Sequence, residues 1–418
     1  MSDSASDPAA DQDTGDARGT DGRIETDIAI IGGGIVGASI AYHLSERSEA
    51  SVTIFERQAP LSETTFKSMA LFGLYGDETQ YRMKRYGMAL YNEFLNDPRG
   101  SPRTHPLGRA LLATTEADAE ALEACHRTGA DRFPKITTGM DRDMVEYIPG
   151  EAIDRSLFIP GLDTDRVAGA LYRPRVYVIH PQEIGFEFLD RARENGVDVR
   201  ANTRVAGVRT EADRAVGLDL EDGTVVDAES VVCAAGPWNI QLARTAGIEL
   251  PVEHTLAAVL ALRPETPLGY EIPYLQTTDS PFSIQTHPAR SDRNVFVSYH
   301  PGDDEDSGTE YDPDRVSDTV PQDIRLDGLD HLAALFPSFA DCSLVDEWVG
   351  IRSGTPDGNP IVGWTDLPGF SIAAFHTSGI QLSPAVGRII ADQLLEDRPT
   401  EHYEALSISR FDGYDDWR

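Results

Sequence analysis

The 418 residues include 70 acidic and 36 basic side chains, a formal charge of −34. Such a surface repels nucleic acid and anionic membranes, so the expected partner is a small molecule. The length suits two domains with sizeable cores, and acid spread along the whole chain fits a protein of a high-salt cytoplasm, where concentrated ions screen self-repulsion.

Cys125, Cys233 and Cys342 stand far apart without CxxC spacing, which predicts neither a disulfide framework nor a metal site and fits a reducing cytoplasm. No apolar run approaches the roughly 20 residues that span a bilayer. The first 22 residues are small and acidic where a signal peptide would be basic and then apolar, so residues 1–23 read as a disordered acidic tail.

From Ile24 to Arg57 the pattern runs strand, glycine turn, helix, strand: "DIAIIGGGIVGASIAYHL" followed by "SVTIFER". Gly32, Gly34 and Gly37 fit G-x-G-x-x-G between an apolar strand and an alanine-rich helix, a turn whose backbone N–H groups suit a pyrophosphate. Glu56 lies nineteen positions past Gly37 at the tip of the next strand, where a carboxylate accepts from an adenosine ribose and disfavours a 2′-phosphate. The ligand is therefore expected to be FAD or NAD rather than NADP.

"PLSETTFKSMALFGLYG" reads as a polar loop entering small and apolar residues, and Gln80 to Leu95 as a helix. "LGRALLATTEADAEALEACHRTGA" gives a strand and an amphipathic helix. After irregular sequence, residues 181–236 give a helix, short strands with an Asp222-Gly223 hairpin signal, and a buried strand ending at Gly236. Between 254 and 345 strands lengthen, prolines multiply and an acidic loop "GDDEDSGTEYDPD" intervenes, as expected of an antiparallel domain. Near the C-terminus come a strand ("FSIAAF"), a loop ("HTSGIQLS") and a helix that Ser383 and Pro384 would cap and start.

The expected architecture is α/β: a Rossmann-like dinucleotide domain (24–105, 165–253, 346–400) interleaved with an α+β substrate domain on a largely antiparallel sheet (106–164, 254–345), then a C-terminal tail (401–418).

"GIRSGTPDGNP" followed by "GIQLSPAVG" resembles the FAD-dependent D-amino-acid oxidase, glycine oxidase and sarcosine oxidase superfamily, and the resemblance covers most of Ile24 to Arg398. It selects FAD over NAD. The cofactor set it implies is Gly32, Gly34, Ile35, Val36, Gly37, Glu56 and Arg57 at the first turn; Thr64, Thr65, Lys67 and Ser68 in a loop around the pyrophosphate and flavin; Val205 and Gly236; and Gly379, Ile380, Gln381 and Leu382 at a helix start. Free N–H groups there would stabilise negative charge near flavin N1 and the C2 oxygen.

The same resemblance makes Arg352 the grip on a substrate carboxylate, a task that suits a planar fork of donors. The implied reaction takes a hydride from the α-carbon of a small amino acid or N-methyl amino acid to flavin N5, leaving an imine that water hydrolyses. The flavin supplies the hard chemistry, so no side-chain base is needed. Tyr274, His287, Tyr299 and His300 lie on substrate-domain strands where they could orient the amine.

Three departures bear on the details. Gly350 occupies the position where sarcosine oxidases carry the cysteine bonded to flavin, which predicts noncovalent FAD. Phe296 stands where they carry a lysine that promotes reaction with oxygen, leaving the acceptor open between O2 and another carrier. "YRPRVYVIHP" lacks the glycine of the family's corresponding region, so substrate identity does not transfer. Two alternatives stay open: a 2-hydroxy acid dehydrogenase of the same superfamily, and a non-catalytic FAD-binding subunit of a larger dehydrogenase.

Overall fold

The computed structural model describes residues 22–97, 102–128, 144–301, 311–375, 378–396 and 402–412. Most of the expected N-terminal tail, residues 302–310 of the acidic loop, and residues 401 and 413–418 lie outside them.

Two large sheets organise the chain. The first runs in the order 205–211, 214–220, 225–233, 23–31, 52–55, 198–200, with 370–374 also paired to 225–233 and carrying 361–364 beyond it. Its centre is parallel: Ile28–Ile31 pair with Ser230–Cys233 on one side and Val52–Phe55 on the other. Such a sheet is covered on both faces, and its strands are continuous apolar runs. Helices Ile35–Ser45, Pro181–Glu194 and Gly379–Glu396 pack over one face, burying Ile40, Leu44, Phe188 and Ile389 in one cluster.

The second sheet runs 343–354, 253–263, 291–299, 282–287, 274–277, 109–113, 169–173, 146–149. All its neighbours are antiparallel except 274–277 beside 109–113, where Tyr274 pairs with Arg109. The α/β plan of two interleaved units, one Rossmann-like and one largely antiparallel, is the one expected.

Several boundaries differ from the sequence reading. Gly169–Arg173 and the strand Ser343–Gly354, both overlapping segments assigned to the first unit, pair within the second sheet. Apolar pattern announces a strand but not the sheet that receives it. Arg23, assigned to the tail, is already a strand residue paired with Val225. Residues 402–412, also assigned to a tail, fold back: Leu406 and Phe411 are buried, and Arg410 pairs with Asp357 at 2.8 Å.

The last long helix begins at Gly379, earlier than Ser383, so Pro384 lies inside it. A proline there removes the N–H that would reach the Ile380 carbonyl. The Tyr91 hydroxyl and Ser383 Oγ, the latter at 3.0 Å, donate to that oxygen instead. The interruption is thereby satisfied within the core.

Candidate functional site

Gly32 has φ +104°, and a Cβ there would lie 2.6 Å from the Ala234 carbonyl oxygen; one on Gly37 would lie 2.0 Å from the Gly32 oxygen. These glycines let strand, turn and helix approach closely enough to leave a cradle. The helix Ile35–Ser45 starts behind Gly34 with no side-chain cap. Of its first amides, Ile35 N–H donates to Thr65 Oγ1 at 3.1 Å, which fixes the following loop against the turn. Glu56 is held by two backbone donors, Gly33 N–H at 2.7 Å and Gln58 N–H at 2.8 Å, so the carboxylate is oriented at the turn's mouth.

A cavity of about 500 Å³ opens over this turn, lined by Gly32, Gly34, Ile35, Val36, Glu56, Arg57, Thr64, Thr65, Ser68 and Val205. A second cleft of about 1680 Å³ lies between the two sheets. Thr64, Ser68, Gly236, Pro237, Phe375, Gly379 and Ile380 line both, so the two form one elongated space. Its middle faces the start of the helix Gly379–Glu396, where first-turn amides and the helix dipole favour negative charge. Gln381 beside it is fully buried: its Oε1 accepts from Gly73 N–H at 3.3 Å, while its Nε2 has no partner. A glycine cradle at one end, an oriented carboxylate, and an orphaned donor beside a helix start together fit a long dinucleotide that carries a ring system at its far end.

The small cavity is strapped by residues 311–318. Asp314 accepts from Arg57 at 2.6 Å and from Trp238 Nε1 at 2.9 Å, and also from Arg204. Burial pushes the Asp314 carboxyl up, but the hydrogen bonds from Trp238 and Arg204 and the charges of Arg204 and Arg57 outweigh it and hold it below its ordinary value. Lys67, expected at the cofactor, lines the cleft, and its Nζ pairs with Asp318 at 2.6 Å.

In the larger cleft Arg352 lies on Ser343–Gly354, in register with Thr255, and lines the cavity with Tyr274, His300, Gly350 and Trp348. Tyr274 is buried; desolvation raises its hydroxyl pKa, opposed by the Arg109 charge and a hydrogen bond with Ser283. Gly350 leaves no side chain on the cleft wall, and none of the three cysteines lines it. Phe296 is buried, its ring 6.3 Å from that of Trp348.

Four expected site residues do not line this space. His287 is fully buried, with Nε2 donating to the Met69 carbonyl at 3.0 Å. Burial and the nearby Arg290 charge press its pKa down to about 3, so it is a neutral structural imidazole. Tyr299 packs against Phe282, ring centroids 5.3 Å apart, beside the second sheet's core. Leu382 points into the core of the first unit, and Gly37 acts by packing on Gly32 rather than by facing the cavity. For His287 and Tyr299, alternation along a strand marks two faces without saying which of them the cleft occupies.

Two residues went unanticipated. Asp314 sits in an acidic loop where nothing distinguishes it locally. Arg109 lines the cleft although it is only 6% exposed, and its trace in the sequence is a lone cation inside the apolar strand "GRALLA".

A Rossmann-like sheet whose cavity continues into a cleft roofed by an antiparallel sheet defines a flavoprotein oxidoreductase of the two-domain class. The chain belongs to the FAD dependent oxidoreductase family, whose model matches residues 27–393. It is an FAD-dependent enzyme. Glycine oxidase of Geobacillus kaustophilus is 27% identical, with 93% of this chain and 97% of that protein covered. The formaldehyde-forming 4-methylaminobutanoate oxidase of Paenarthrobacter nicotinovorans is 26% identical over 92% of this chain, which spans only 45% of that relative. Among solved structures, L-proline dehydrogenase from P. horikoshii shares the fold with a TM-score of 0.77 at 22% identity, covering 94% of this chain and 99% of its own. Among the described residues no helix is long and apolar enough to cross a membrane.

Proposed function

We propose that this enzyme oxidises the CH–N bond of a small amino acid or N-methyl amino acid. The observation that carries the reading is the position of Arg352, a guanidinium on the wall of a cleft continuous with the dinucleotide cavity. Bound FAD supplies the chemistry by accepting a hydride equivalent from the substrate α-carbon. Arg352 holds the substrate carboxylate with two parallel N–H bonds, fixing the distance and angle of the α-carbon. The amides at Gly379 and Ile380 and the helix dipole favour negative charge developing beside them. Tyr274, kept neutral by burial, offers an O–H for orientation. The imine product then meets water in the open cleft.

The relatives' names support an amine substrate: glycine oxidase and 4-methylaminobutanoate oxidase are both 26–27% identical to this chain. The substitution of glycine at position 350 supports noncovalent FAD, which acid precipitation would release into the supernatant.

The test is anaerobic titration of the yellow holoprotein, in high salt, with glycine, sarcosine, D-amino acids, L-proline and 2-hydroxyglutarate. Bleaching of the visible flavin band by an amine is the expected result. Bleaching by the hydroxy acid alone would replace CH–N with CH–OH oxidation. A flavin that none of them reduces would overturn the catalytic reading in favour of an accessory subunit.

A further inference from the structure

We infer that the cleft contains a second anion site, built on Arg109, and that the substrate is a diacid amine: an amino or imino compound bearing a carboxylate beyond the one held by Arg352. This rests on the amine-oxidation reading above and narrows it.

Arg109 stands on the strand Arg109–Ala113, in parallel register with Tyr274, and both residues line the cleft. Its guanidinium lies 5.0 Å from the ring centres of both Tyr75 and Tyr274, and Nη2 donates to Gln276 Oε1 at 2.5 Å. Among the described residues no carboxylate pairs with it, and Nε is buried without a partner. A guanidinium that is 94% buried and faces only an amide and two aromatic rings leaves most of its charge uncompensated, which is unfavourable unless an anion completes the site.

Several other partly buried arginines carry protein carboxylates, whereas Arg290, set against the Phe66 and Trp348 rings, donates to backbone carbonyls and lines neither cavity. Arg191 pairs with Glu187 at 2.6 Å and Asp97 at 3.0 Å, and Arg325 pairs with Glu347 at 2.6 Å. Asp77, Glu249, Glu253, Asp357, Asp366 and Asp412 also line the cleft, yet among the described residues none of them pairs with Arg109. Lys84 and Arg173 bring two further cations to Tyr75, with Lys84 Nζ 4.0 Å and the Arg173 guanidinium 6.0 Å from its ring centre.

The geometry suits a carboxylate. Gln276 holds one arm of the fork and the two rings fix its plane, leaving the remaining donors to receive two oxygens. Arg109, Tyr274 and Arg352 line the same cleft, and against the rise that burial imposes both guanidinium charges lower the Tyr274 hydroxyl pKa, so one substrate lying near Tyr274 is within electrostatic reach of both. The second acid can be the side chain of an acidic amino acid or an N-carboxyalkyl arm. Both place an anion a few bonds from the amine nitrogen.

The test compares paired substrates in anaerobic flavin reduction of the holoenzyme: sarcosine with iminodiacetate, and D- and L-alanine with D- and L-aspartate and glutamate. The diacid of a pair is expected to exceed the monoacid by about 100-fold in kcat/KM, mainly through KM. Arg109→Gln should lower that preference about 100-fold, and Arg109→Lys should restore part of it. Which diacid reacts identifies the side-chain or the N-carboxyalkyl source. The FAD content of each variant, read after acid release, separates substrate discrimination from loss of fold. For a variant that does not hold FAD, the wild-type pairs decide, together with the binding of succinate against propionate by their perturbation of the bound-flavin spectrum. Monoacids reduced as well as diacids, or a preference unchanged in Arg109→Gln, would overturn the diacid site while leaving amine oxidation standing. No reduction by any amine would overturn both.

Discussion

Arg57 and Arg204, at the glycine-turn end of the cavity, both reach the Asp314 carboxylate, and Arg57 also takes Glu63 at 3.0 Å and stacks 3.7 Å over Trp238. At the opposite end Arg109 meets only an amide and aromatic faces. The difference separates two uses of the same side chain. A guanidinium saturated by protein carboxylates closes a wall, whereas one left for a cavity selects what enters. Between these two ends, ion pairing separates the arginines bound into the wall from the one that faces the cavity.

The comparison can be broken most severely at the shared foundation. Gly37→Ala would place a methyl 2.0 Å from the Gly32 carbonyl oxygen, forcing helix and strand apart, and the purified protein is expected to carry almost no FAD. Normal flavin content would show that the cradle does not depend on that close approach.

Next in size is the cleft end. Arg352→Ala should lower kcat/KM for the reducing amine roughly a hundred- to a thousandfold while leaving FAD bound. Unchanged kinetics would remove Arg352 from substrate binding. At the strapped end, Asp314→Asn removes the carboxylate that Arg57 and Arg204 share, leaving Arg57 its Glu63 partner, and is expected to speed FAD dissociation several-fold, about tenfold at most, measured by dilution into apoprotein trap, with little effect on KM. The Asp314 pKa is depressed in the fold, so its contribution to stability is complete above about 3.8 and disappears only as pH falls through its lower native value. The Asp314 contribution to Tm should therefore fade below about pH 3.8 and stay constant between 5 and 8.

The smallest effect concerns a residue at neither end. His287 titrates at about 3 in the fold against an ordinary 6.5, so between these values the unfolded chain takes up a proton that the native one refuses. Stability is full above about 6.5 and declines as pH falls toward 3. His287→Gln, which keeps a donor for the Met69 carbonyl, should make the decline in Tm below 6.5 shallower. His43, lowered to about 4 mainly by burial, and His180 and His331, also lowered mainly by burial, keep part of the decline in place. Superimposable Tm profiles would refute this account of His287.

The glycine-turn end was the more legible in sequence because its residues are local. Gly32, Gly34 and Glu56 lie within one strand–turn–helix–strand unit, and their spacing alone brings them to one mouth. Arg352, Gly379 and Ile380 were legible through the family pattern, and they do line the joined cavity. The substrate wall was less accessible because it is assembled across a curved sheet from strands far apart in the chain. His287 and Tyr299 look much like Tyr274 in sequence, yet only Tyr274 faces the cleft. Arg109 and Tyr274 meet through a parallel pairing that no local pattern announces. Asp314 acquires its partners only when the second unit's loop crosses the first unit's pocket.

The proline at 384 sits inside one continuous helix. Tyr91 and Ser383 take up the single ladder position that Pro384 vacates, so the helix continues through the proline. The amides of Gly379 to Gln381 belong to its first turn and face the cavity, so in hydrogen–deuterium exchange they should be fast in apoprotein and slowed by FAD, while the amides after Pro384 exchange at one rate in both.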